Sequence, residues 1–284
     1  RGQGVGTGLG FFSVARLGGT GERQREFWIE PADHRVPRIP ACQQARGGGG
    51  VAAGDFDSDG RCDLYFVSGA RKNRLYRNLG GGHFADITAP AGVSGGEAWG
   101  AGAAVVDIEG DGDLDIYVAN YGETSVLRSG GSVSVRTING QQVVTGRYAN
   151  RIRIMGGDMV EVGEPDFLYF NDGSGNFTKA DWTDGNWLDE NGQPIRKAFW
   201  DLGLSVMIRD INLDGRPDIY VCNDFQTPDR FWINQGGGKF RLIGEMALRH
   251  RSYFAMAVDF ADINRDGHDD FFVADMMSPT HLLE

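Results

Sequence analysis

The amino-acid sequence predicts an all-β protein built from repeated four-stranded antiparallel modules of about 50 residues. Three observations support this. An Asp-rich loop recurs four times in one frame, and each copy is followed at once by a β-branched and aromatic run. A second motif, in which a strand ends in Asn before a Gly-rich turn and an aromatic residue, occurs three times. Together these features indicate strands joined by two kinds of tight turn.

Each Asp-rich loop has Asp at positions 1, 5 and 9 and Gly at position 6. The loops are DFDSDGRCD (55–63), DIEGDGDLD (107–115), DINLDGRPD (210–218) and DINRDGHDD (262–270), called loops 1 to 4 below. Alternate side-chain oxygens and a backbone carbonyl at position 7 can surround Ca²⁺, and Gly at position 6 allows the sharp turn. One acidic turn of this kind is common in proteins, but four copies in one frame indicate metal loops.

We therefore predict up to four Ca²⁺ ions, one for each loop, with ligands at the odd positions. The predicted ligands are Asp55, Asp57, Asp59, Arg61 and Asp63 in loop 1, Asp107, Glu109, Asp111, Asp113 and Asp115 in loop 2, Asp210, Asn212, Asp214, Arg216 and Asp218 in loop 3, and Asp262, Asn264, Asp266, His268 and Asp270 in loop 4. The position-7 residues would contribute their backbone carbonyl. Glu109 is longer than Asp or Asn at position 3, so loop 2 departs most from the pattern.

The EF-hand is the obvious alternative for such a loop, and the sequence excludes it. An EF-hand loop needs a Glu at position 12 and a helix after it. Position 12 is Phe66, Val118, Val221 or Val273, and the runs after position 9 are LYFV, IYVA, IYVC and FFVA. These runs are typical of buried strands. The loops therefore join two strands.

The net charge of −11 is explained largely by the loops, which hold fourteen carboxylates at positions 1, 3, 5 and 9. Four Ca²⁺ ions would reduce it to about −3. An acidic chain argues against a nucleic-acid partner, which requires basic surface. No stretch reaches the roughly 18 apolar residues of a membrane span. The chain begins at Arg1 rather than Met, so the lack of a visible signal peptide says little.

The three cysteines show no metal-binding spacing. Cys62 and Cys222 are predicted to occupy packing positions. One disulfide among Cys42, Cys62 and Cys222 is possible, but the sequence does not assign it.

The spacing of the loops indicates one repeat with insertions rather than a lost repeat. The loops start at residues 55, 107, 210 and 262, so the middle step is twice the others. The Asn motifs are NRLYRNLGGGHF (73–84), DFLYFNDGSGNF (166–177) and DRFWINQGGGKF (229–240). Measured from loop to motif, the extra length falls mainly inside the second module, as an insertion at about 123–165.

The inserted residues carry their own turn signals. VSVRTINGQQVVTG (133–146) predicts a hairpin around Asn139-Gly140, and RIRIMGGDMVEV (151–162) a second hairpin around Gly156-Gly157. A smaller insertion at 184–194 is predicted to be an irregular loop, with Trp182 and Trp187 exposed nearby. The only predicted short helix lies at 241–249.

Each module reads as four strands, which in the first are VAAGDF, LYFVSG, NRLYRN and HFADIT. Four antiparallel strands in about 50 residues are typical of a β-propeller blade, which buries its faces against neighbouring blades. These modules resemble FG-GAP/VCBS repeats, and GVAAGDFDSDGRCDLYFVSG with NRLYRNLGGGHFADITAPAGV is most similar to the cartilage acidic protein family and its bacterial relatives. The resemblance covers about residues 50–277. It implies a secreted propeller with Ca²⁺ in these loops, related to the blades of integrin α-subunits, and a role in adhesion.

Residues 1–50 do not match the repeat, and 51–284 form the predicted blades. The fourth repeat stops after its second strand. We expect either that the N-terminal segment supplies closing strands or that the chain is a fragment of a longer propeller, and we favour the fragment.

The sequence contains no catalytic constellation. GVSGG (92–96) matches a nucleophile motif formally, but it lies in a turn between modules rather than between a strand and a helix. The stretch 221–232 is dense in polar groups, and Asn223, Asp224 and Asp229 either line a ligand surface or cap local turns; capping is the favoured reading.

We expect an extracellular, periplasmic or cell-surface module that binds a protein or glycan on a propeller face, without nucleic acid and without membrane insertion. The alternative is a propeller enzyme such as a calcium-dependent polysaccharide lyase.

Overall fold

A computed structural model describes residues 49–69, 72–96, 98–122, 132–155, 158–224, 227–244, 252 and 254–276. The segment 1–48, the turn at Gly156-Gly157, Cys42 and most of the helix predicted at 241–249 lie outside this range. The described part is almost entirely β. Its helices are α1 (Thr88–Ala91) and a 3₁₀ turn (Ala149–Arg151). No helix of the described residues is long and apolar enough to cross a membrane.

The first repeat forms a four-stranded antiparallel sheet, called sheet 1. Its strands are β1 (Val51–Gly54), β2 (Asp63–Phe66), β3 (Arg74–Gly80) and β4 (His83–Asp86), in the order β1-β2-β3-β4. Loop 1 joins β1 to β2, and the Gly-rich turn joins β3 to β4, as predicted. The fourth strand ends earlier than the predicted HFADIT because residues 88–91 turn into α1, a helix that the sequence analysis missed.

The second repeat forms sheet 2, and its third strand returns after a long insertion. Its strands and those of the insertion are β5 (Gly100–Val106), β6 (Asp115–Asn120), β7 (Ser134–Ile138), β8 (Gln141–Thr145), β9 (Ile152–Met155), β10 (Asp158–Glu161), β11 (Phe167–Asn171) and β12 (Phe177–Lys179). Sheet 2 has the order β12-β11-β6-β5, while β7 pairs only with β8 and β9 only with β10. The strands on either side of the long insertion therefore belong to one sheet.

The third repeat forms sheet 3, which has a fifth strand that the sequence analysis did not predict. The strands are β13 (Trp187–Leu188), β14 (Gly203–Arg209), β15 (Asp218–Asn223), β16 (Arg230–Gly236) and β17 (Lys239–Leu242), in the order β13-β17-β16-β15-β14. The prediction that Trp187 is exposed is wrong, because it is 1% exposed and stacks on Phe240 at 4.7 Å. Trp182 is only partly buried and packs on Trp187. Packing of these aromatic side chains thus holds the smaller insertion against sheet 3.

The fourth repeat contributes the antiparallel pair β18 (Ala255–Ala261) and β19 (Asp270–Asp275), called sheet 4. Within the described residues no further strand joins this pair. Ile263 and Phe272 are correspondingly exposed, at 70% and 69%.

The four sheets pack in sequence order through their first strands. β1 contacts β5, β5 contacts β14, and β14 contacts β18. The apolar core falls into three clusters between neighbouring sheets. These clusters are centred on Phe56, Tyr65 and Tyr169, on Ile108, Trp187 and Trp232, and on Tyr220, Phe231 and Phe260. Neighbouring sheets therefore bury their facing surfaces against each other.

The two cysteines in the described range differ in environment. Cys222 is buried at a packing position, as predicted, whereas Cys62 is exposed and that prediction is wrong. Position 8 of the loop lies at the rim rather than in the core. Neither thiol forms a disulfide within the described residues.

The insertion contains one hairpin that packs on little else. β7 and β8 pair around Asn139 and Gly140, which both have positive φ as the predicted turn requires. All five residues of β7 are exposed. The second hairpin differs, because Ile152, Val160 and Val162 are buried.

We predict that the β7–β8 hairpin is dispensable for folding. Replacing residues 135–144 with Asn-Gly leaves Ser134 and Thr145, which are register partners, joined by a two-residue turn. Because little apolar surface is lost, we expect the melting temperature to change by less than about 4 °C, equivalent to less than 1 kcal/mol or so. Calorimetry of both proteins measures this. Val160→Asp is the contrasting control and should destabilise, whereas an aggregated shortened protein would contradict the prediction.

Candidate calcium-binding loops

The four loops share one backbone geometry, fixed by the Asp at position 1. In loop 1, the carboxylate of Asp55 accepts the N–H of Asp59 at 3.1 Å and that of Gly60 at 2.8 Å. The corresponding carboxylates in the other loops are Asp107, Asp210 and Asp262, and each accepts the N–H groups of positions 5 and 6. The position-1 side chain therefore closes the turn in every copy.

Two positions of each loop have left-handed backbone. Gly at position 6 has φ between 83° and 99° in the four loops, as the sequence predicts. Position 4 also has positive φ, which the sequence analysis did not anticipate. Its residues are Ser58, Gly110, Leu213 and Arg265, with φ of 57°, 78°, 61° and 62°. A side chain in this conformation is strained, and such strain is concentrated at ligand-binding segments.

In loops 1 to 3, the Asp at position 9 is buried and connects the loop to the third strand by hydrogen bonds. Asp63 is 1% exposed and accepts the N–H of Phe56 at 3.1 Å and the N–H of Asn78 at 2.7 Å. The same pair of bonds joins Asp115 to Ile108 and Asn171, and joins Asp218 to Ile211 and Asn234. In loop 4, Asp270 accepts the N–H of Ile263. Position 9 therefore closes the loop through backbone donors.

In sheets 2 and 3, the Asn that ends the third-strand motif ties its own loop to the loop of the preceding sheet. The side-chain amide of Asn171 donates to Leu114 O of its own loop and, at 2.8 Å, to Phe56 O of loop 1. Asn234 likewise donates to Pro217 O and, at 2.8 Å, to Ile108 O of loop 2. Sequence reasoning placed these residues in a hairpin but missed their role. Their recurrence as the last letter of NRLYRN, DFLYFN and DRFWIN was the available signal.

Loop 1 brings three carboxylates together. One oxygen from each of Asp55, Asp57 and Asp63 lies within 4.8 Å of the others. Asp57 Oδ2 is 2.7 Å from Nε of Arg77, whereas Asp57 Oδ1 is buried and has no hydrogen-bond partner among the described residues. An unpaired buried carboxylate oxygen beside two other carboxylates fits a hard cation, since Ca²⁺ takes oxygen ligands at 2.3–2.6 Å.

Loops 3 and 4 hold the position-3 side chain differently. The amide of Asn212 donates to Asp214 and its oxygen accepts the N–H of Asp214, both at 2.9 Å. Asn264 and Asp266 repeat these bonds. Positions 3 and 5 are therefore linked to each other within these loops, and the three-carboxylate arrangement of loop 1 is not repeated in the described residues.

The position-7 side chains neutralise part of the charge in two loops. Arg61 pairs with Asp59 and donates to Asn78 O at 2.8 Å, and Arg216 pairs with Asp214 and donates to Asn234 O at 2.9 Å. In loop 4, His268 donates its backbone N–H to Asp266. The position-7 residues thus hold the position-5 carboxylates in place, through the Arg side chain in loops 1 and 3 and through the backbone N–H in loop 4.

Loop 2 has a carboxylate at position 7 instead, and its electrostatics are correspondingly unfavourable. Burial, with the neighbouring Asp111, raises the pKa of Asp113 to about 6. Burial raises the pKa of Asp115 to about 7 despite its two backbone hydrogen bonds, and burial followed by repulsion from Asp111 raises that of Glu109. Asp113 Oδ1 is another buried oxygen without a partner in the described part of the chain. A bound cation would relieve this repulsion.

The turn of the following sheet covers loops 1 and 2. A Cβ added at Gly175 would lie 3.7 Å from Cβ of Asp57, and one added at Gly238 would lie 3.4 Å from Oε1 of Glu109. Both distances are ordinary van der Waals contact, so these turns pack against the loop of the preceding sheet. Glycine is favoured at both positions because their φ values are 79° and 70°.

Family comparison agrees with this repeated geometry. A model described as FG-GAP-like repeat matches residues 37–118 and 210–273, which together make up half of the chain. The chain belongs to the FG-GAP-like repeat family. The matched ranges include loops 1, 2, 3 and 4, so all four copies of the FG-GAP-like loop fall within them.

Two curated relatives are similar over part of their length. Cartilage acidic protein 1 of Xenopus tropicalis is 25% identical over 219 residues, which is 68% of this chain and 33% of that protein. Cartilage acidic protein 1 of Homo sapiens is 36% identical over 75 residues, which is 26% of this chain and 11% of that protein. The chain thus spans a third or less of these relatives.

Solved structures align only loosely with the chain. The V. cholerae biofilm matrix protein Bap1 aligns at a TM-score of 0.34 and 16% identity, covering 80% of this chain and 28% of that one. An Agrocybe aegerita lectin, which recognises non-reducing terminal N-acetylglucosamine, aligns at a TM-score of 0.27 and 19% identity, covering 80% and 61%. These scores are too low to carry an argument about this protein.

A second polar cluster lies at the opposite end of the FG-GAP-like sheets. Asp166 accepts the N–H of Asn120 at 2.7 Å and the hydroxyl of Tyr117 at 2.8 Å, and burial raises its pKa to about 7. It borders a cavity of about 10 Å³, which also contacts the ion pair of Asp201 and Arg230. A buried carboxyl of raised pKa is a feature of many catalytic sites.

The other FG-GAP-like sheets show that this cluster repeats. In sheet 3, Asp229 accepts the N–H of Asn223 and the hydroxyl of Tyr220. In sheet 1, Asn73 occupies the same place, accepting the N–H of Ser68 and donating to the hydroxyl of Tyr65. An amide serves there as well as an acid, which favours a structural role. The same arrangement explains the polar stretch at 221–232, because Asp229 caps the strand end, in agreement with the favoured interpretation.

We predict that Asn171 couples neighbouring FG-GAP-like sheets. Asn171→Ala removes bonds to two loops and should lower the free energy of unfolding by about 2–4 kcal/mol, since each buried group left unpaired costs about 1–3 kcal/mol. Asn78→Ala is the matched control, because its amide donates to Cys62 O of its own loop. Urea denaturation in EGTA measures both without metal. Equal losses would show that the bond to the neighbouring sheet contributes nothing.

We also predict a pH signature for Asp166, whose charged neighbours are Asp201 and Arg230. Its pKa is raised in the fold, so folding binds a proton between about pH 4 and 7, and this group's stabilising contribution is lost as pH rises through 7. Raising the pKa of Asp166 from 3.8 to about 7 corresponds to at most about 4 kcal/mol of folding free energy. Asp166→Asn should flatten this dependence and fold, whereas Asp166→Ala should be strongly destabilised. Urea midpoints at pH 4.5 and 7.5 test this, and parallel pH profiles for the wild type and Asp166→Asn would refute it.

Proposed function

We propose that the protein is a calcium-stabilised β-propeller module of the extracellular space or cell surface, which binds a protein or glycan. The observation that carries the calcium assignment is the convergence of Asp55, Asp57 and Asp63 around the buried, unpaired Asp57 Oδ1. Binding of Ca²⁺ would supply that oxygen with a partner.

The propeller is proposed from the order of the sheets. Three sheets have four strands of one repeat each, and their first strands contact one another in succession. Such an arrangement places the first strands innermost and the fourth strands outermost, as in propeller blades. The exposed Phe272 and Ile263 of sheet 4 then mark a face that a further blade would cover.

Calcium at the loops would act on the architecture rather than on a reaction. Loops 1 and 2 lie between their own sheet and the turn of the following one, so a cation in either loop would neutralise carboxylates at the junction between sheets. Loop 1 is the best-formed site. Loop 2 carries the strongest repulsion and gains the most from neutralisation, and loops 3 and 4 require Asn212 and Asn264 to leave their bonds with position 5.

An extracellular setting and a binding role are the remaining parts of the proposal. Calcium sites that bind at about 0.1–1 mM are filled only where calcium is abundant, as it is outside cells. The curated relatives are named for cartilage, which supports the same setting. A role in binding is favoured over catalysis, because the acid of raised pKa at Asp166 has the structural counterparts Asn73 and Asp229.

We predict that calcium stabilises the protein in proportion to the number of sites filled. If free calcium is tenfold above the dissociation constant, each site adds about 1.4 kcal/mol, and four sites add about 5–6 kcal/mol. Removing calcium with EGTA should therefore lower the melting temperature by several degrees or more, compared with 2 mM Ca²⁺. Mg²⁺ should restore little, since it prefers small octahedral sites with water ligands.

The matched variants are Asp57→Asn and Glu190→Gln, which remove the same charge inside and outside a loop. Asp57→Asn should lose one site in isothermal titration with Ca²⁺, and Glu190→Gln should lose none. A melting temperature that is unchanged on full chelation would overturn the calcium assignment and leave the loops as acidic turns.

A further inference from the structure

The described surface contains an open groove large enough for a small ligand, and residues of the insertion line part of it. The groove encloses about 430 Å³, within the roughly 300–1,000 Å³ typical of small-ligand sites. Arg147, Tyr148, Arg151, Glu164 and Pro165 of the insertion line it, together with Phe167 of β11 and Trp200. Sheet 2 reaches it through the start of β11.

The groove lies at the end of sheet 2 that is remote from the calcium loop. Phe167 is the register partner of Val118, near the end of β6, whereas Asn171 at the other end of β11 bonds to Asp115 of loop 2. A ligand in the groove therefore does not contact the proposed metal sites. Binding at the two ends can be measured separately.

The chemistry of the lining combines aromatic rings with charge. Tyr148, Phe167 and Trp200 each line the groove and are only partly buried, so ring surface is available to a ligand. Arg147 is exposed, with its guanidinium 5.4 Å from the centroid of the Tyr148 ring. Aromatic rings with a few placed polar groups are typical of ligand sites. The C–H faces of a pyranose ring suit such rings.

The charged group open to a ligand favours an anion. Arg151 is ion-paired with Glu161 at 3.5 Å, and Glu164 accepts the backbone N–H of Trp99 at 2.9 Å. Arg147 is exposed, so among the described lining residues its guanidinium is the cation that a ligand can reach. Arg binds planar carboxylates with two parallel hydrogen bonds. A uronate carboxylate is the group that combines this recognition with a pyranose ring.

Other ligand classes fit less well. An extended peptide would add to a free strand edge, but β11 is paired with β6 on one side and β12 on the other. Nucleic acid requires an extended basic surface, whereas the groove has two cations in an acidic protein. The ligand is then limited to a short anionic saccharide.

We propose that the groove bounded by Arg147, Tyr148 and Trp200 binds a uronate-containing oligosaccharide, with Arg147 contacting the carboxylate and the aromatic rings contacting the sugar faces. This rests on the proposed function as a binding module and names its ligand class. It also gives the second half of the insertion a role. The buried residues Ile152, Val160 and Val162 of the β9–β10 hairpin would hold Arg147 to Arg151 against the groove.

The test uses the full chain and tetragalacturonate, with its fully methyl-esterified form as the uncharged match. Isothermal titration in 0.2 mM Ca²⁺ should detect binding of the acid, with the ester at least tenfold weaker. Arg147→Ala and Tyr148→Ala should each weaken binding at least tenfold. Arg136→Ala is the matched control, because Arg136 is exposed on β7 of the same insertion and does not line the groove; its affinity should equal that of the wild type.

The outcomes separate this proposal from the calcium assignment, since thermal shifts with Ca²⁺ and EGTA are recorded on the same samples. Equal affinity for the acid and the ester would overturn the role of charge. Affinity that survives in Arg147→Ala and Tyr148→Ala would place the ligand elsewhere. Absence of uronate binding in a protein that keeps its calcium shift, or binding of an acidic peptide in its place, would overturn the groove as a saccharide site while leaving the calcium module intact.

Discussion

The buried carboxylate at position 9 of loops 1 to 3 is the constraint on which the architecture depends. Asp63, Asp115 and Asp218 are almost fully buried, and each accepts one N–H from its own loop and one from the third strand. A buried carboxylate is costly unless it is hydrogen-bonded. Both of its oxygens are hydrogen-bonded only when the loop and the third strand are in the observed register. The buried acid therefore favours that register.

The residue at position 2, which bonds to this acid, also links neighbouring sheets. The N–H at position 2 goes to the position-9 acid of the same loop, while in loops 1 and 2 the C=O at position 2 accepts the amide of Asn171 or Asn234 from the next sheet. The side chains of Phe56 and Ile108 at these positions are buried in the clusters between sheets. One residue thus joins strand pairing, sheet stacking and the acidic loop, so crowding of charge in the loop acts directly on sheet packing.

The sequence predicts the fold well where the repeat carries the signal. Four loops in one frame and three Asn motifs were enough to assign the strands of sheets 1 to 3 and to treat residues 107–179 as one interrupted repeat. Features without a repeated pattern were missed. β13 depends on Trp187 packing against Phe240, α1 on four residues after β4, and the positive φ at position 4 is occupied by Ser, Gly, Leu and Arg, which share no sequence signal. Arg77 reaches Asp57 from a strand whose counterparts have no Arg at that position.

The two ends of the sheets have different freedom to vary, and this explains where the insertions occur. At the loop end, the acids at positions 1 and 9 bond to backbone groups of their own loop or of the third strand, so added residues would break the ties between sheets. At the opposite end, the side chain that bonds to the end of the second strand is Asn73 in sheet 1 and Asp166 in sheet 2. The connections between strands are therefore constrained only at the point where each strand begins. Both insertions leave sheet 2 from this end, one after Asn120 and one after Lys179. The loop end of the sheets therefore has the same geometry in every repeat. The residues that differ between repeats, including those of the groove at Arg147 and Trp200, lie at the opposite end. There they change the surface without disturbing the packing of the sheets.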